Sequence, residues 1–295
     1  MPFEHTRTFR VRYYECDAFG YVRGLSLLRY MQEAAFDASA AAGYDVNRYD
    51  AMKRLWLVRE TDIESLRPLR YGDSVAVKTW VADFRRVRSR RMYEMRLAST
   101  GELAARASTD WVFLHTVTGR PATIPPDLIS AFFPEGLPDQ APPRERLLSA
   151  PPAPARVFTA QRRVTWRDVD AAQHVNNSNY LAYVEDCAMQ IMAARGWTLE
   201  WLRSEGVTLA PRRYQIEYLR PALPDDELDL ATWVFGVTDD TFMRHYAITR
   251  ASDSALLAQV NAVYGWLDLV THTPVNAPTT FSAEFVSNNS NLDAE

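Results

Sequence analysis

The chain has 295 residues, with 33 Lys+Arg against 37 Asp+Glu and a formal net charge of -4 at pH 7. That balance argues against bulk attraction to nucleic acid or to an anionic membrane. Hydrophobic residues make up 47% and charged residues 24%, the profile of a globular chain with room for two domains. No apolar run is long enough to span a bilayer, and the opening MPFEHTRTFRVRYYE lacks an apolar core of the signal-peptide kind. Cys16 and Cys187 have no metal-site spacing. Neither a disulfide scaffold nor a zinc site is expected, and reduced thiols fit a cytoplasmic protein.

In chain order, a short strand is expected over 9–14, then a turn carrying Asp17, then a helix over 25–42. Leu27, Leu28, Met31, Ala34, Ala35 and Ala38 recur on one face of that helix, and Gly43 suits the left-handed position that ends it. Strand-like stretches follow at 57–66, 74–81, 91–97 and 104–114. The proline-rich stretch 134–155, PEGLPDQAPPRERLLSAPPAPA, reads as a surface linker because its prolines remove ladder donors. The order then starts again: a strand over 162–166, an acid-bearing turn, a helix with Tyr180, Val184, Cys187, Ala188 and Ile191 on one stripe, and Gly196 at its end. Strands are expected at 214–219, where Tyr214, Ile216 and Tyr218 alternate with Gln215 and Glu217, and at 228–235, 244–249 and 257–267. A polar tail, 283–295, closes the chain.

The second half repeats the first at a fixed offset. Asp17 matches Asp170 (170 − 17 = 153), and the same step pairs Leu66-Arg67-Pro68 with Leu219-Arg220-Pro221 and Thr79-Trp80 with Thr232-Trp233. A register held over such a length indicates duplication of a whole domain rather than a short-period solenoid. One long helix followed by a run of antiparallel strands is an α+β pattern in which the helix covers the apolar face of the sheet. The expected organisation is an N-terminal domain over 1–133, the linker 134–155, a C-terminal domain over 156–282 and the tail 283–295.

Chemistry concentrates at 166–188, WRDVDAAQHVNNSNYLAYVEDCA. Asp170 stands four residues before His174, and the amide-rich turn Asn176-Asn177-Ser178-Asn179 leads into a helix. Asn and Ser favour helix starts, where free N–H groups and the helix dipole stabilise developing negative charge. An acid, an imidazole and such an end together suggest acyl transfer or hydrolysis. His5, His115, His245 and His272 have no comparable neighbours and read as structural or surface residues. In the first copy Tyr21 stands where His174 would be and Gly24 where Asn177 would be, so Asp17 has lost its partners there.

These residues carry a resemblance. W-x-D-x-D…Q-H-V-N-N-x-x-Y in the second copy resembles the active-site motif of the acyl-ACP thioesterases, and VRYYECDAFGYV…LLRYMQEAA resembles the N-terminal half of that family. More broadly, both copies are similar to 4-hydroxybenzoyl-CoA-thioesterase-like hotdog domains. The resemblance implies two tandem hotdog domains, each an antiparallel sheet wrapped around a long helix, and hydrolysis of fatty acyl thioesters on acyl carrier protein or CoA. It implies Asp170 as nucleophile or general base with His174 assisting, and Asp17 as the alternative acid. Two fused copies can form internally the pair that single hotdogs form as dimers, and a homodimer of the fused chain is also compatible. The family motif is D-x-N-x-H, but Ala172 occupies the Asn position, and Pro221 and Ala222 stand where a further acid and cysteine are expected. Ala172 supports a rival reading, a non-catalytic acyl-thioester binder or sensor.

Four further features complete the candidates. Asn176 and Asn177 either hold the turn or offer an amide to the oxyanion. Glu217, mirrored by Glu64, approaches from a strand as a second substrate-binding candidate. Ala38 lies in an alanine-rich helix that leaves room for an acyl chain, although alanine also simply favours helix. Arg85-Arg86, Arg88 and Arg90-Arg91 form a basic run with Arg86, Arg88 and Arg90 on one strand face, suited to an acidic carrier protein or CoA phosphates, or merely solvated.

Overall fold

The computed structural model describes residues 1–138, 143, 147–155 and 157–281. They group into two compact units. The first is Met1–Leu147 with Asn177–Asn179 and Gln215–Leu219, and the second is Leu148–Asn176, Tyr180–Tyr214 and Arg220–Glu295.

In the first unit β1 (Glu4–Arg10) precedes α1 (Gly24–Ala41), α2 (Val46–Ala51), β2 (Arg54–Ser65), β3 (Ser74–Phe84), β4 (Arg88–Leu97), β5 (Leu103–His115) and α3 (Pro126–Phe132). The strands lie in the order β1-β3-β4-β5-β2, each neighbouring pair antiparallel. Helix α1 lies against β1 and β3. Its expected inward face is the observed one: Leu27, Leu28, Met31, Ala34, Ala35 and Ala38 are all buried. Each large apolar side chain sequestered there is worth roughly 1.5–3 kcal/mol before ordering costs. Gly43, at φ +81, ends the helix in the left-handed conformation that a Cβ would disfavour. A second cluster, Tyr44, Val81, Phe113, Ile124, Leu128, Phe132 and Phe133, fills the other end of this core.

The second unit follows the same plan with β6 (Phe158–Arg163), α4 (Asn179–Ala194), α5 (Leu199–Ser204), β7 (Val207–Tyr218), β8 (Glu227–Phe235), β9 (Thr241–Arg250), β10 (Leu256–Asp268) and the short β11 (Pro274–Val275). The strand order is β6-β8-β9-β10-β7, with β11 on β10. The duplication is a duplication of backbone. Strands β7, β8, β9 and β10 and helix α5 each begin 153 residues after β2, β3, β4, β5 and α2 (207 − 54, 227 − 74, 241 − 88, 256 − 103, 199 − 46). At one mirrored position the chemistry changes while the contact persists. Phe9 stacks on Tyr30 at 4.6 Å in the first unit. Arg162 lays its guanidinium 4.8 Å from the Tyr183 ring in the second. The protein is α+β, two tandem hotdog domains.

Several local expectations are corrected. The first strand of each copy ends earlier than 14 and 166, because the chain tightens into 3-10 turns at Tyr13–Glu15 and Trp166–Asp168. Side chains drive those turns: Glu15 accepts from Arg12 N at 2.7 Å, and Asp168 accepts from Thr165 N and Oγ1 at 2.8 and 2.7 Å. Local capping of this kind competes with the strand ladder. Gln215 is not on a solvent face; it is 3% exposed and donates to Asp62 at 3.0 Å. Arg86 precedes β4 rather than lying on it, and Arg91 is buried, leaving Arg85, Arg86 and Arg88 as the exposed part of the basic run. Of the expected linker, 139–142 and 144–146 lie outside the described residues; its other residues form neither helix nor strand. Residue 282 and the expected tail 283–295 lie outside them as well.

Candidate active site

The loop between β6 and α4 is a tight hairpin. Val169 bridges Val175, Asp170 N donates to the His174 carbonyl at 3.1 Å, and Gln173 N donates to the Asp170 carbonyl at 2.9 Å. The turn requires φ +64 at Gln173, a left-handed conformation that costs a non-glycine residue about 1 kcal/mol. The first copy meets the same demand with Gly20, at φ +85. The loop is anchored to the following strand connection by Val175 N, which donates to the Ala222 carbonyl at 2.9 Å, while Ala222 N donates to the buried Tyr180 hydroxyl at 3.0 Å.

The hairpin fixes a carboxylate. Asp170 Oδ1 accepts from Ala172 N at 2.9 Å and Oδ2 accepts from Asn176 Nδ2 at 2.8 Å. The side chain is half-buried, as is that of His174. His174 Nδ1 lies 3.2 Å from the Val175 carbonyl oxygen. A carbonyl only accepts, so in the neutral ring Nδ1 carries the proton and Nε2 keeps a lone pair available for proton transfer. Backbone bonds join Asp170 to His174, but their side chains are not hydrogen-bonded to each other; each is oriented by its own neighbour.

The first copy forms the same turn with different chemistry. Cys16 bridges Val22, and Asp17 N donates to the Tyr21 carbonyl at 2.8 Å. Asp17 Oδ1 accepts from the backbone amides of Phe19 and Tyr21, at 2.8 and 3.0 Å. Burial pushes this carboxyl above its ordinary value, against the opposing pull of those two N–H groups. Tyr21, in place of an imidazole, is buried with the Arg70 guanidinium 5.2 Å from its ring.

The remaining candidates separate. Asn176 joins Asp170, whereas Asn177 and Glu217 group with the first unit. There the Asn177 carbonyl accepts from Tyr218 Oη at 3.1 Å, and Glu217 pairs with Arg59 at 2.9 Å, which also donates to the Tyr218 carbonyl. Glu217 is thus occupied by a cation that no motif announced. Ala38, 1% exposed, faces the interior of the first unit. Cys187 is buried, and burial raises its thiol to about 11, the state of an inert apolar side chain rather than a nucleophile. Of the two roles the sequence leaves open for Asn176, its side-chain amide holds the turn, and what the sequence did not mark is its partner, the Asp170 carboxylate six residues earlier.

The chain carries two tandem hotdog domains, with an acid and an imidazole on the hairpin ahead of the second long helix. Residues 2–132 match the acyl-ACP thioesterase N-terminal domain, and residues 164–285 match the thioesterase-like superfamily. Each half of the chain thus matches a thioesterase family model, the first that of the acyl-ACP thioesterase N-terminal domain. Among curated relatives, the chain is 27% identical over 214 residues to a chloroplastic palmitoyl-acyl carrier protein thioesterase of Gossypium hirsutum, covering 68% of this chain and 52% of the relative. It is 27% identical over 213 residues to a dodecanoyl-[acyl-carrier-protein] hydrolase of Umbellularia californica, covering 67% of this chain and 55% of the relative. The chain thus matches about half the length of these relatives. Among solved structures, the 12:0-ACP thioesterase of Umbellularia californica superposes with a TM-score of 0.69 at 22% identity, over 90% of this chain and 98% of that one. An acyl-ACP thioesterase of Bacteroides thetaiotaomicron superposes with a TM-score of 0.68 at 17% identity, over 88% and 97%.

Proposed function

We propose that this protein hydrolyses fatty acyl thioesters, carried on acyl carrier protein or on CoA, to the free acid and the thiol, and that the second unit does the chemistry. The observation that carries the reading is the Asp170 carboxylate fixed by Asn176 beside an imidazole whose Nε2 is available. Asp170 accepts a proton from water as it adds to the thioester carbonyl; in the alternative it attacks that carbon itself, and water then hydrolyses the mixed anhydride. The carbonyl becomes an oxyanion held by N–H donors near the start of α4. Collapse breaks the C–S bond, and the departing thiolate takes the proton that the water gave up, passed on through His174 Nε2. Asn176 supports the reading because it supplies to Asp170 the amide that Ala172 does not.

The same proposal gives Asp17 a turn-forming role, since both its bonds go to nearby backbone amides. It takes the exposed Arg85, Arg86 and Arg88 as the docking edge for an acidic carrier or CoA phosphates. A cytoplasmic location fits two free cysteines, and a homodimer is checked by light scattering.

The test is thiol release from a panel of acyl-ACP and acyl-CoA substrates. Asp170→Asn and His174→Ala are expected to lower kcat/KM by about 10²–10⁴-fold each with folding intact. Wild-type turnover that survives both substitutions defeats the assignment. Tight binding of the panel without thiol release by the wild type favours the rival reading, an acyl-thioester binder, which the absent bond between the Asp170 and His174 side chains would then explain.

A further inference from the structure

We propose that the core of the second unit holds a carboxylate-binding site centred on the Arg244 guanidinium. Arg244 lies on β9 and is 2% exposed. Its Nε and Nη1 are buried and reach no acceptor among the described residues. Taking a cation of this kind out of water without acceptors costs several kcal/mol, and a guanidinium does not escape the cost by losing its proton. Burial raises the phenols of Tyr214, Tyr246 and Tyr264, so none is a phenolate. The Cys187 thiol, raised to about 11 by burial, is not a thiolate. Asp186 is exposed and paired with Arg162 at 2.7 Å.

The duplication sharpens the point. The mirrored residue in the first unit is Arg91 (91 + 153 = 244), also buried, whose Nη1 donates to Thr79 Oγ1 at 3.4 Å. The counterpart of that threonine, Thr232, gives its hydroxyl to the His245 carbonyl at 2.6 Å, just as Thr79 gives its own to the mirrored Met92 carbonyl at 2.9 Å, but no bond joins Thr232 to Arg244. Among the described residues the second copy has kept the cation without that acceptor, and in this proposal an acceptor bound from outside fills its place. The lining selects its chemistry. Phe242 lies 5.7 Å from the guanidinium and stacks on Tyr264 at 5.3 Å, and the Tyr246 and Tyr264 hydroxyls pair at 2.9 Å. One positive charge among aromatic rings suits a singly charged planar carboxylate; a phosphate would bring a second charge with nothing to balance it. A fatty acid and a small free carboxylate share that headgroup.

The proposal does not rest on the hydrolysis reading, because it is tested by binding without turnover. Full-length protein is titrated calorimetrically with acetate and with decanoate in buffer free of chloride and of other carboxylates. Saturable one-to-one binding is expected, weakened roughly tenfold to hundredfold in Arg244→Met. Preference for decanoate assigns the site to fatty acids; equal binding of acetate assigns it to a small carboxylate. No saturable binding of either, or binding unchanged in Arg244→Met, overturns the proposal. Should Arg244→Met not fold, the wild type decides: carboxylate must shift the Arg244 Nε–H resonance, assigned by its loss in Arg244→Lys, and an unmoved resonance overturns the site.

Discussion

At the scale of single residues, two aspartates at the same place in two copies face different environments. Asp170 is held by one backbone amide and one side-chain amide, and its loop carries an imidazole. Replacing Asn176 by Ala removes the Oδ2 bond. The carboxylate keeps its Ala172 anchor but swings more freely, so Asn176→Ala is expected to lower kcat by about tenfold, with KM little changed. A merely structural Asn176 would move the melting temperature and leave kcat of the folded enzyme in place.

Asp17 gives a prediction of opposite character. Its folded-state pKa is raised, chiefly by burial. The folded chain therefore releases this proton at higher pH than the unfolded chain, whose Asp titrates at about 3.9. Between the two values the folded state binds more protons, so stability falls as pH rises through that window. The contribution is present in acid and lost above the folded value. Asp17→Asn keeps an acceptor for Phe19 N and Tyr21 N and removes the buried charge. It is expected to raise the melting temperature at pH 7, with the gain vanishing at pH below about 4. A variant destabilised at pH 7 but not in acid would show instead that the charge itself is needed.

At the scale of elements, legibility followed period and length. Helix α1 and its buried face could be read from the sequence because eighteen residues repeat one apolar stripe. The short α2 and α5, six residues each, could not, since one and a half turns hold too little periodicity. Their caps were nonetheless present: Asp45 accepts from Arg48 N at 2.8 Å, and Thr198, its mirror, accepts from Trp201 N at 3.2 Å. Asp45→Ala is expected to cost about 1 kcal/mol in chemical denaturation. The 3-10 turns ahead of each candidate acid were misread as strand because Tyr13 and Trp166 look like strand residues, yet both are largely exposed, at 80% and 89%. The same logic places Ala38. Its full burial means a larger residue must displace neighbours, so Ala38→Trp is expected to destabilise the first unit by about 1–3 kcal/mol. It should also shorten the preferred acyl chain if that helix borders the chain-binding space, and an unchanged preference in a folded variant removes Ala38 from the site.

At the scale of the whole molecule, the fixed offset made the duplication legible, but not how the segments are shared. The first unit includes Asn177–Asn179 and Gln215–Leu219, drawn from the second half of the sequence. Nothing in a one-dimensional pattern marks them, because what ties them is specific: Arg59 to Glu217 and to the Tyr218 carbonyl, and Gln215 to Asp62. These groups are largely removed from water, with Arg59 and Glu217 side chains only 28% and 22% exposed. A fragment ending at residue 147 keeps Arg59 and Asp62 but loses their partners, and a half-buried charge without its partner costs more than a surface pair is worth. The fragment is therefore expected to unfold at lower urea concentration than the corresponding transition of the intact chain. Glu217→Gln in the intact chain should reproduce part of that shift, since it removes the countercharge and leaves the carbonyl bond. A fragment as stable as its counterpart in the full chain would mean that the borrowed segments contribute contact without stability.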